Sequence, residues 1–393
     1  MPLIDYMKYL DRSCEIGFSA PYQWTGGPKD RNQETTISKN LFKLSVILLT
    51  YQFVGIITYF YLFGRTEKDA VRFVTGLSEM CGSLMLVCVA CTNVWALTKN
   101  RPHIQAVFGE LHVMYPKPKD DRYRTQHYQD VALFTMKYQY ILYTIFYLYY
   151  NGAPLLLLLW EYLMDRQNMS YRTQTNMWFP WKVKGSAFGF GLAILVQALA
   201  SVVGVAYSLK SLNIVCIFTY QLKLHCDALA SQLLRLDSRL PGSYQELRIL
   251  ITYHCRIFDI GEQVNQILNS YFLSSLIFST IAICMTSVAV LLLDFASAFK
   301  YISGLVAFVL YHFVICYMGT AVTAASDKVL PAAFYNNWYE GDLAYRKMLL
   351  ILMMRATKPY VWRTYKLAPV SITTYMATLK FSYQMFTCVR SLK

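Results

Sequence analysis

The chain has 393 residues, of which 55% are apolar and 16% aromatic, while only 15% are charged. Its formal net charge of +14 would suit nucleic acid if it formed one basic patch. The lysines and arginines instead fall in segments between long apolar runs, which argues against a nucleic-acid partner and for a basic face beside anionic lipid.

In chain order, residues 1–40 read as a polar N-terminal arm, with Trp24-Thr25-Gly26-Gly27-Pro28 as an interfacial cap rather than a fold. No cleaved signal is evident in it, so the first span acts as its own insertion signal. Seven apolar windows follow, at Leu41–Phe63, Val71–Thr98, Val131–Trp160, Gly185–Leu209, Leu268–Leu293, Phe299–Ala325 and Leu367–Val389. Each holds about the 20 residues that cross a ~30 Å hydrocarbon core as helix. The arm and segments 99–130, 210–267 and 327–366 carry 24 Lys and Arg, against 8 in the alternate segments. Positive segments stay cytoplasmic, which puts the N-terminus inside and the C-terminus outside. The expected fold is therefore an all-α membrane protein of one domain, 1–393, with seven transmembrane helices. Its orientation is the reverse of a G-protein-coupled receptor. The only Asn-x-Ser/Thr sequon, at Asn168, lies in segment 161–184, on the outer side, as a glycosylation candidate.

The third span is dense in tyrosine, and Asn151-Gly152-Ala153-Pro154 is expected to break or kink it where neighbours satisfy the backbone. Residues 210–267 keep helical spacing without being apolar enough to span. They read as a cytoplasmic hairpin that extends spans four and five and turns at Pro241-Gly242. Within 327–366, Met348–Met354 is apolar on all faces yet too short to cross, so it should be buried in that hairpin or in another subunit. Together these segments are the expected cytoplasmic anchor of an oligomer.

None of the ten cysteines falls in an outer loop, so they read as small buried hydrophobes rather than disulfides. Glu79, about two turns into the second span, and Lys380, near the middle of the seventh, are the deepest charges. Each is a candidate for a water-filled path or a structural ion pair. His225-Cys226 and His254-Cys255 offer four soft ligands, but adjacent residues on a helix point about 100° apart, so no metal site is expected. Gly185-x-x-x-Gly189 and Gly191 read as close-packing positions. Asp121-Arg122-Tyr123 precedes the third span, and the seventh lacks Asn-Pro-x-x-Tyr, so G-protein coupling has no support. No catalytic or cofactor-binding motif is present.

The tail carries a pattern of its own. Ala333-Phe334-Tyr335-Asn336-Asn337-Trp338-Tyr339 is followed by Arg346-Lys347, Arg355-Ala356-Thr357-Lys358-Pro359, Ala368-Pro369-Val370-Ser371-Ile372 and Leu379–Thr387. This closely resembles the C-terminal signature of insect odorant receptors, and the length and seven inverted helices fit that family along the whole chain. The resemblance implies a ligand-gated cation channel in the dendritic plasma membrane of a sensory neuron, forming a heterotetramer with an obligate co-receptor of the same fold. It implies a pore along the outer part of helix seven, where Tyr383, Phe386, Val389 and Arg390 share a face. Phe386 is bulky for a gate and Arg390 awkward for cations, so selectivity would rest on the co-receptor. It also implies a ligand pocket in the outer half of helices two, three, four and six. There the chain supplies Phe73, Leu77, Met80, Tyr143, Tyr147, Asn151, Phe188, Leu192, Tyr301, Phe308 and Tyr311. Such a pocket suits a small volatile bound mainly by burial, with Asn151 orienting an alcohol, ketone or ester. A gustatory receptor of the same superfamily is the nearest rival, but Thr374–Phe381 only half matches its usual ending. A secondary transporter would show an internal repeat, and none is apparent.

Overall fold

A computed structural model describes residues 2–27, 35–116, 123–164, 171–292 and 295–391. In chain order the helices begin with α1 (Pro2–Tyr6), α2 (Lys8–Ile16), α3 (Thr36–Tyr59, prolonged by a π-turn at Phe60–Gly64) and α4 (Ala70–Lys99). Next come α5 (Arg101–Met114), α6 (Thr125–Leu163), α7 (Ala187–Arg235), α8 (Ser243–Leu292) and α9 (Phe295–Asp327). The chain ends with α10 (Val329–Phe334), α11 (Leu343–Ala356), a two-stranded turn of β1 (Arg363–Thr364) and β2 (Ala368–Pro369), and α12 (Ile372–Ser391). Among the described residues six helices, α3, α4 and α6 to α9, are long and apolar enough to cross a membrane. The seventh, α12, has 20 residues and is long enough, but Lys380 and its hydroxyl-bearing residues leave it less apolar.

The N-terminal arm folds, contrary to expectation. Leu3, Tyr6, Met7, Leu10 and Cys14 are fully buried, and α1 and α2 pack on α6 and α7. Farther along, Tyr22 and Trp24 meet the Phe108 ring of α5 edge-on, at 5.9 and 6.4 Å between centroids. Helix α6 runs unbroken through Pro154. The expected break at Asn151-Gly152-Ala153-Pro154 does not form; the Asn151 side-chain amide donates to the Tyr147 carbonyl within the same helix.

The 49 residues of α7 extend about 73 Å, more than twice the hydrocarbon thickness. Helix α8 returns alongside it after a turn in which Gly242 takes a positive φ of 90°. Residues 206–222 of α7 are buried on every face; the arm, α6, α9 and α10 cover the sides that a lone hairpin would leave exposed. The last carbonyls of α7, which have no partner inside the helix, are met by Asn336, whose amide donates to Leu233 O and Leu236 O. Asn337 accepts from the Ser238 backbone N–H at 2.9 Å. Helix α11 buries Tyr345, Leu349, Leu352 and Ala356, while Leu350, Ile351 and Met354 stand 54–67% exposed. The Met348–Met354 run is thus covered on one side only.

The expected start of the last span at Leu367 also moves, because Pro369 and the β1–β2 turn delay the helix to Ile372. Tyr365 and Lys366 both take positive φ in that turn. Asn265 and Asn269, one turn apart on α8, hold it by accepting from the backbone N–H groups of Arg363 and Tyr365.

Two buried histidines on the hairpin set a pH dependence. His225 Nδ1 lies 2.6 Å from the Tyr253 hydroxyl, and the His254 ring packs on Phe258 at 4.7 Å. Burial pushes both from 6.5 down to about 4. Each stays neutral when folded and protonates when unfolded, so stability falls as pH drops from 6.5 toward 4. By pH 5 the loss is on the order of 2 kcal/mol per histidine. Thermal unfolding in detergent should show a lower midpoint at pH 5 than at pH 7, with the difference reduced in a His225→Gln, His254→Gln double variant. An unchanged difference in that variant would assign the pH dependence elsewhere.

Candidate functional site: an apolar cavity among five helices

The helices converge around a cavity of about 160 Å³. Its walls follow helical spacing. Ser83, Leu86, Val87 and Ala90 come from α4, and Gln139, Tyr143, Tyr147 and Asn151 from α6. Ser201, Gly204, Ser208 and Leu212 come from α7, and Gly304, Ala307, Phe308 and Tyr311 from α9. Leu49 and Gln52 of α3 complete one side, and Gln174 and Thr175 cap the end nearest the 171–186 loop. From Gln139 to Asn151 the lining runs about 18 Å along α6, so the cavity is long and narrow. A dry apolar cavity of about 150 Å³ accommodates benzene, which restricts this one to small ligands.

Its surface is mostly apolar, with polar side chains such as Ser83, Gln139, Asn151, Ser201 and Ser208 interspersed along it. Asn151 Nδ2 donates to Tyr147 O at 2.9 Å and approaches Ser201 Oγ at 3.4 Å, whereas its Oδ1 is buried without a partner. The Nδ2 donation to the Tyr147 carbonyl fixes the amide orientation. Both polar atoms of the buried Gln139 side chain lack partners. Tyr311 OH is engaged by Ser275 Oγ at 2.8 Å, and Asn93 Nδ2 holds Ser208 Oγ at 3.2 Å. The loop cap is tied down by Gln197, whose Oε1 accepts from Gln174 N and whose Nε2 donates to Thr175 O.

Toward the loop lies a second and larger cavity of about 760 Å³, which shares Tyr150 and Gln174 with the first. Its walls include Tyr59, Glu79, Arg172, Trp178, Lys182 and Tyr301. Glu79 faces this space and accepts from Tyr301 OH at 2.9 Å. Gly189 meets the loop rather than another helix: a Cβ there would sit 2.1 Å from the Lys182 carbonyl oxygen, and Gly191 has open space around it. Gly189 is thus a close-packing position, but against the loop backbone; Gly191 packs against nothing, and Gly185 serves the turn with a φ of 81°.

Of the residues expected in the pocket, Tyr143, Tyr147, Asn151, Phe308 and Tyr311 line the 160 Å³ cavity and Tyr301 the larger one. The others line neither cavity. Phe73 packs on Phe60 at 5.9 Å, Leu77 and Leu192 are half-buried, Met80 packs against the main core, and Phe188 is 83% exposed. Sequence reasoning missed Gln52, Gln139, Ser201, Gly204 and Ser208. Their signal was available as polar or small residues repeating at helical spacing inside apolar runs.

Helix α12 lies on α8 and α9. Thr378 faces Thr280 at 3.3 Å and Ser382 faces Cys284 at 3.1 Å, while Met376, Ala377, Lys380, Phe381 and Gln384 are exposed. Tyr383 and Phe386 stack at 6.5 Å. Val389 and Arg390 fall in the last turns, and their side chains are outside the described residues, as are Asn168, Asp121 and Arg122 altogether.

Residues 74–383 match the family described as 7tm Odorant receptor. The chain is 57% identical over 393 residues to odorant receptor 69a, isoform A, and 40% identical to isoform B, both from Drosophila melanogaster and both covered over 100% of each chain. Among solved structures, the olfactory receptor OR5 of Machilis hrabei superposes with a TM-score of 0.77 at 14% identity, covering 100% of both chains. The same receptor in complex with eugenol gives 0.75 at 15% identity, again covering 100% of both chains.

Proposed function

The chain belongs to the 7tm odorant receptor family, and we propose that it is the odorant-binding subunit of a ligand-gated cation channel assembled with a co-receptor of the same fold. The observation that carries this reading is the 160 Å³ cavity, mostly apolar on its surface and lined by residues of five helices. Burial at about 25 cal/mol per Å² supplies most of the affinity. Asn151, which lines the cavity, supplies a polar side chain to orient an alcohol, ketone or ester.

The N-terminus lies in the cytoplasm, and the α7–α8 hairpin with α10 and α11 forms a cytoplasmic anchor. The exposed Leu350, Ile351 and Met354 meet a neighbouring subunit of a heterotetramer in the plasma membrane of a sensory dendrite. Helix α12 contributes Tyr383, Phe386, Val389 and Arg390 toward the pore. Odorant binds more tightly to the arrangement in which α12 has moved aside, and the population shifts toward the open channel. Six cavity-lining residues, Gly304, Ala307, Phe308, Leu310, Tyr311 and Val314, lie on α9, one of the helices that α12 packs against, which gives the ligand a direct lever on the pore.

Tyr147→Ala tests the site. Odorant potency should change across a volatile panel that includes phenols, while surface expression and co-assembly stay at wild-type levels. Superimposable dose–response curves would remove Tyr147 from the site.

A further inference from the structure

At the hairpin end of the spans a separate cavity of about 290 Å³ gathers positive charge. Its lining contains Lys39 and Lys43 from the first two turns of α3, Arg101 from α5 and Lys210 from α7, with no aspartate or glutamate. Lys210 is the unusual member. It is 1% exposed; its Nζ donates to Ser19 Oγ at 2.5 Å and sits 3.8 Å from the Tyr207 ring centroid. Among the described residues it has no carboxylate partner. A buried cation is tolerated when an anion accompanies it, and a hydroxyl and a ring fall short of one. Arg101 is fixed instead by the arm: its guanidinium donates to Ala20 O and Pro21 O at 2.8 and 2.7 Å and lies 4.9 Å from the Tyr22 ring centroid. Lys39 and Lys43 are exposed at the mouth.

The level of the cavity matters as much as its charge. Lys39 and Lys43 begin α3, Leu97 and Thr98 end α4, and Lys210 follows directly on the apolar run Gly185–Leu209. All sit where helices leave hydrocarbon for headgroups. The charge bias assigns this end to the cytoplasmic leaflet, which carries the anionic lipids. The geometry points to a phosphate-binding site, filled by the headgroup of an anionic phospholipid, with Lys210 and Arg101 at its base and Lys39 and Lys43 closing over the ligand. Because Ser19, Ala20 and Pro21 of the arm bond to those same two basal cations, the bound lipid holds the arm on the bundle. A soluble organic phosphate shares this chemistry.

The test uses purified full-length protein in detergent, with binding read by native mass spectrometry and thermal shift. The ligands are short-chain phosphatidylinositol 4-phosphate, its free headgroup inositol 1,4-bisphosphate, and short-chain phosphatidylcholine as the neutral control. The phosphoinositide should bind and raise the melting midpoint, and phosphatidylcholine should do neither. The double variant Lys39→Gln, Lys43→Gln alters only exposed side chains and should weaken phosphoinositide binding by about 30-fold. Lys210→Gln keeps a donor toward Ser19 and should weaken it as well. Tighter binding of the lipid than of its headgroup assigns the ligand to the membrane; equal binding assigns it to a soluble phosphate, with the site upheld. Absence of anion binding, equal binding of phosphatidylcholine, or an affinity unchanged in the Lys39/Lys43 double variant overturns the proposal. Odorant responses play no part in the readout, so the channel reading stands or falls separately.

Discussion

Ala307→Phe is expected to raise the odorant concentration for half-maximal current by about 100-fold while leaving assembly and surface expression unchanged. Ala307 lies on α9 between Gly304 and Phe308 and lines the 160 Å³ cavity. Its side chain is half-buried, so a benzyl group enters existing space instead of forcing helices apart. Filling that space denies a volatile roughly 100 Å² of apolar contact, or about 2.5 kcal/mol. Current responses to a volatile panel, together with surface labelling, check the expectation. Wild-type potency in a correctly expressed variant would place the odorant somewhere other than this cavity.

Gly319→Val is expected to abolish odorant-evoked current by misplacing α12. A Cβ at Gly319 on α9 would sit 2.0 Å from the Val370 carbonyl oxygen, a backbone atom that no rotamer change can withdraw. Val370 belongs to the segment that leads into α12; its N–H donates to Trp362 O at 2.9 Å, and the next helix is tied to α9 by Ile372 N donating to Thr320 Oγ1 at 2.9 Å. Trp362 is fully buried and packs on Phe272 of α8 at 5.3 Å, so the turn cannot slide to make room. Overpacking of this kind costs about 1–3 kcal/mol, and here the strain falls on the junction that aims the proposed pore helix. Size-exclusion profiles of the purified channel, read beside patch currents, separate failed assembly from failed gating. Currents of wild-type size from Gly319→Val would show that this junction does not fix α12.

The spans and the hairpin were legible because their signals are additive over many residues. About 20 apolar residues cannot hide, and Pro241-Gly242 interrupts a helical pattern that resumes at Leu247. The site was legible only in part, since composition reports that a helix spans but not how it is rotated. Tyr143, Tyr147 and Asn151 fall on one face of α6 and reach the cavity together, whereas Phe188 was placed by depth alone and points away. The better guide was the rarity of polar side chains in apolar runs: Ser201, Gly204 and Ser208 mark one face of α7, and Gln139 continues the α6 face. The arm was misread for a different reason. Charged residues between Leu3, Tyr6, Leu10 and Cys14 lower its average apolarity, although the spacing of those four already defines a buried helix face. The late start of α12 had a signal in Pro369, but the left-handed pair Tyr365-Lys366 carries none of the glycine or asparagine that normally marks such a turn.

The central claim is that this chain gates ions directly once odorant binds, in company with a co-receptor. Excised patches from cells expressing the chain with and without an insect odorant co-receptor, bathed without GTP or ATP, test it most directly. Volatile-evoked cation current only when both subunits are present is the predicted result. Responses confined to intact cells and lost on excision would contradict the account, because they would require a soluble messenger between the odorant site and the conducting pore.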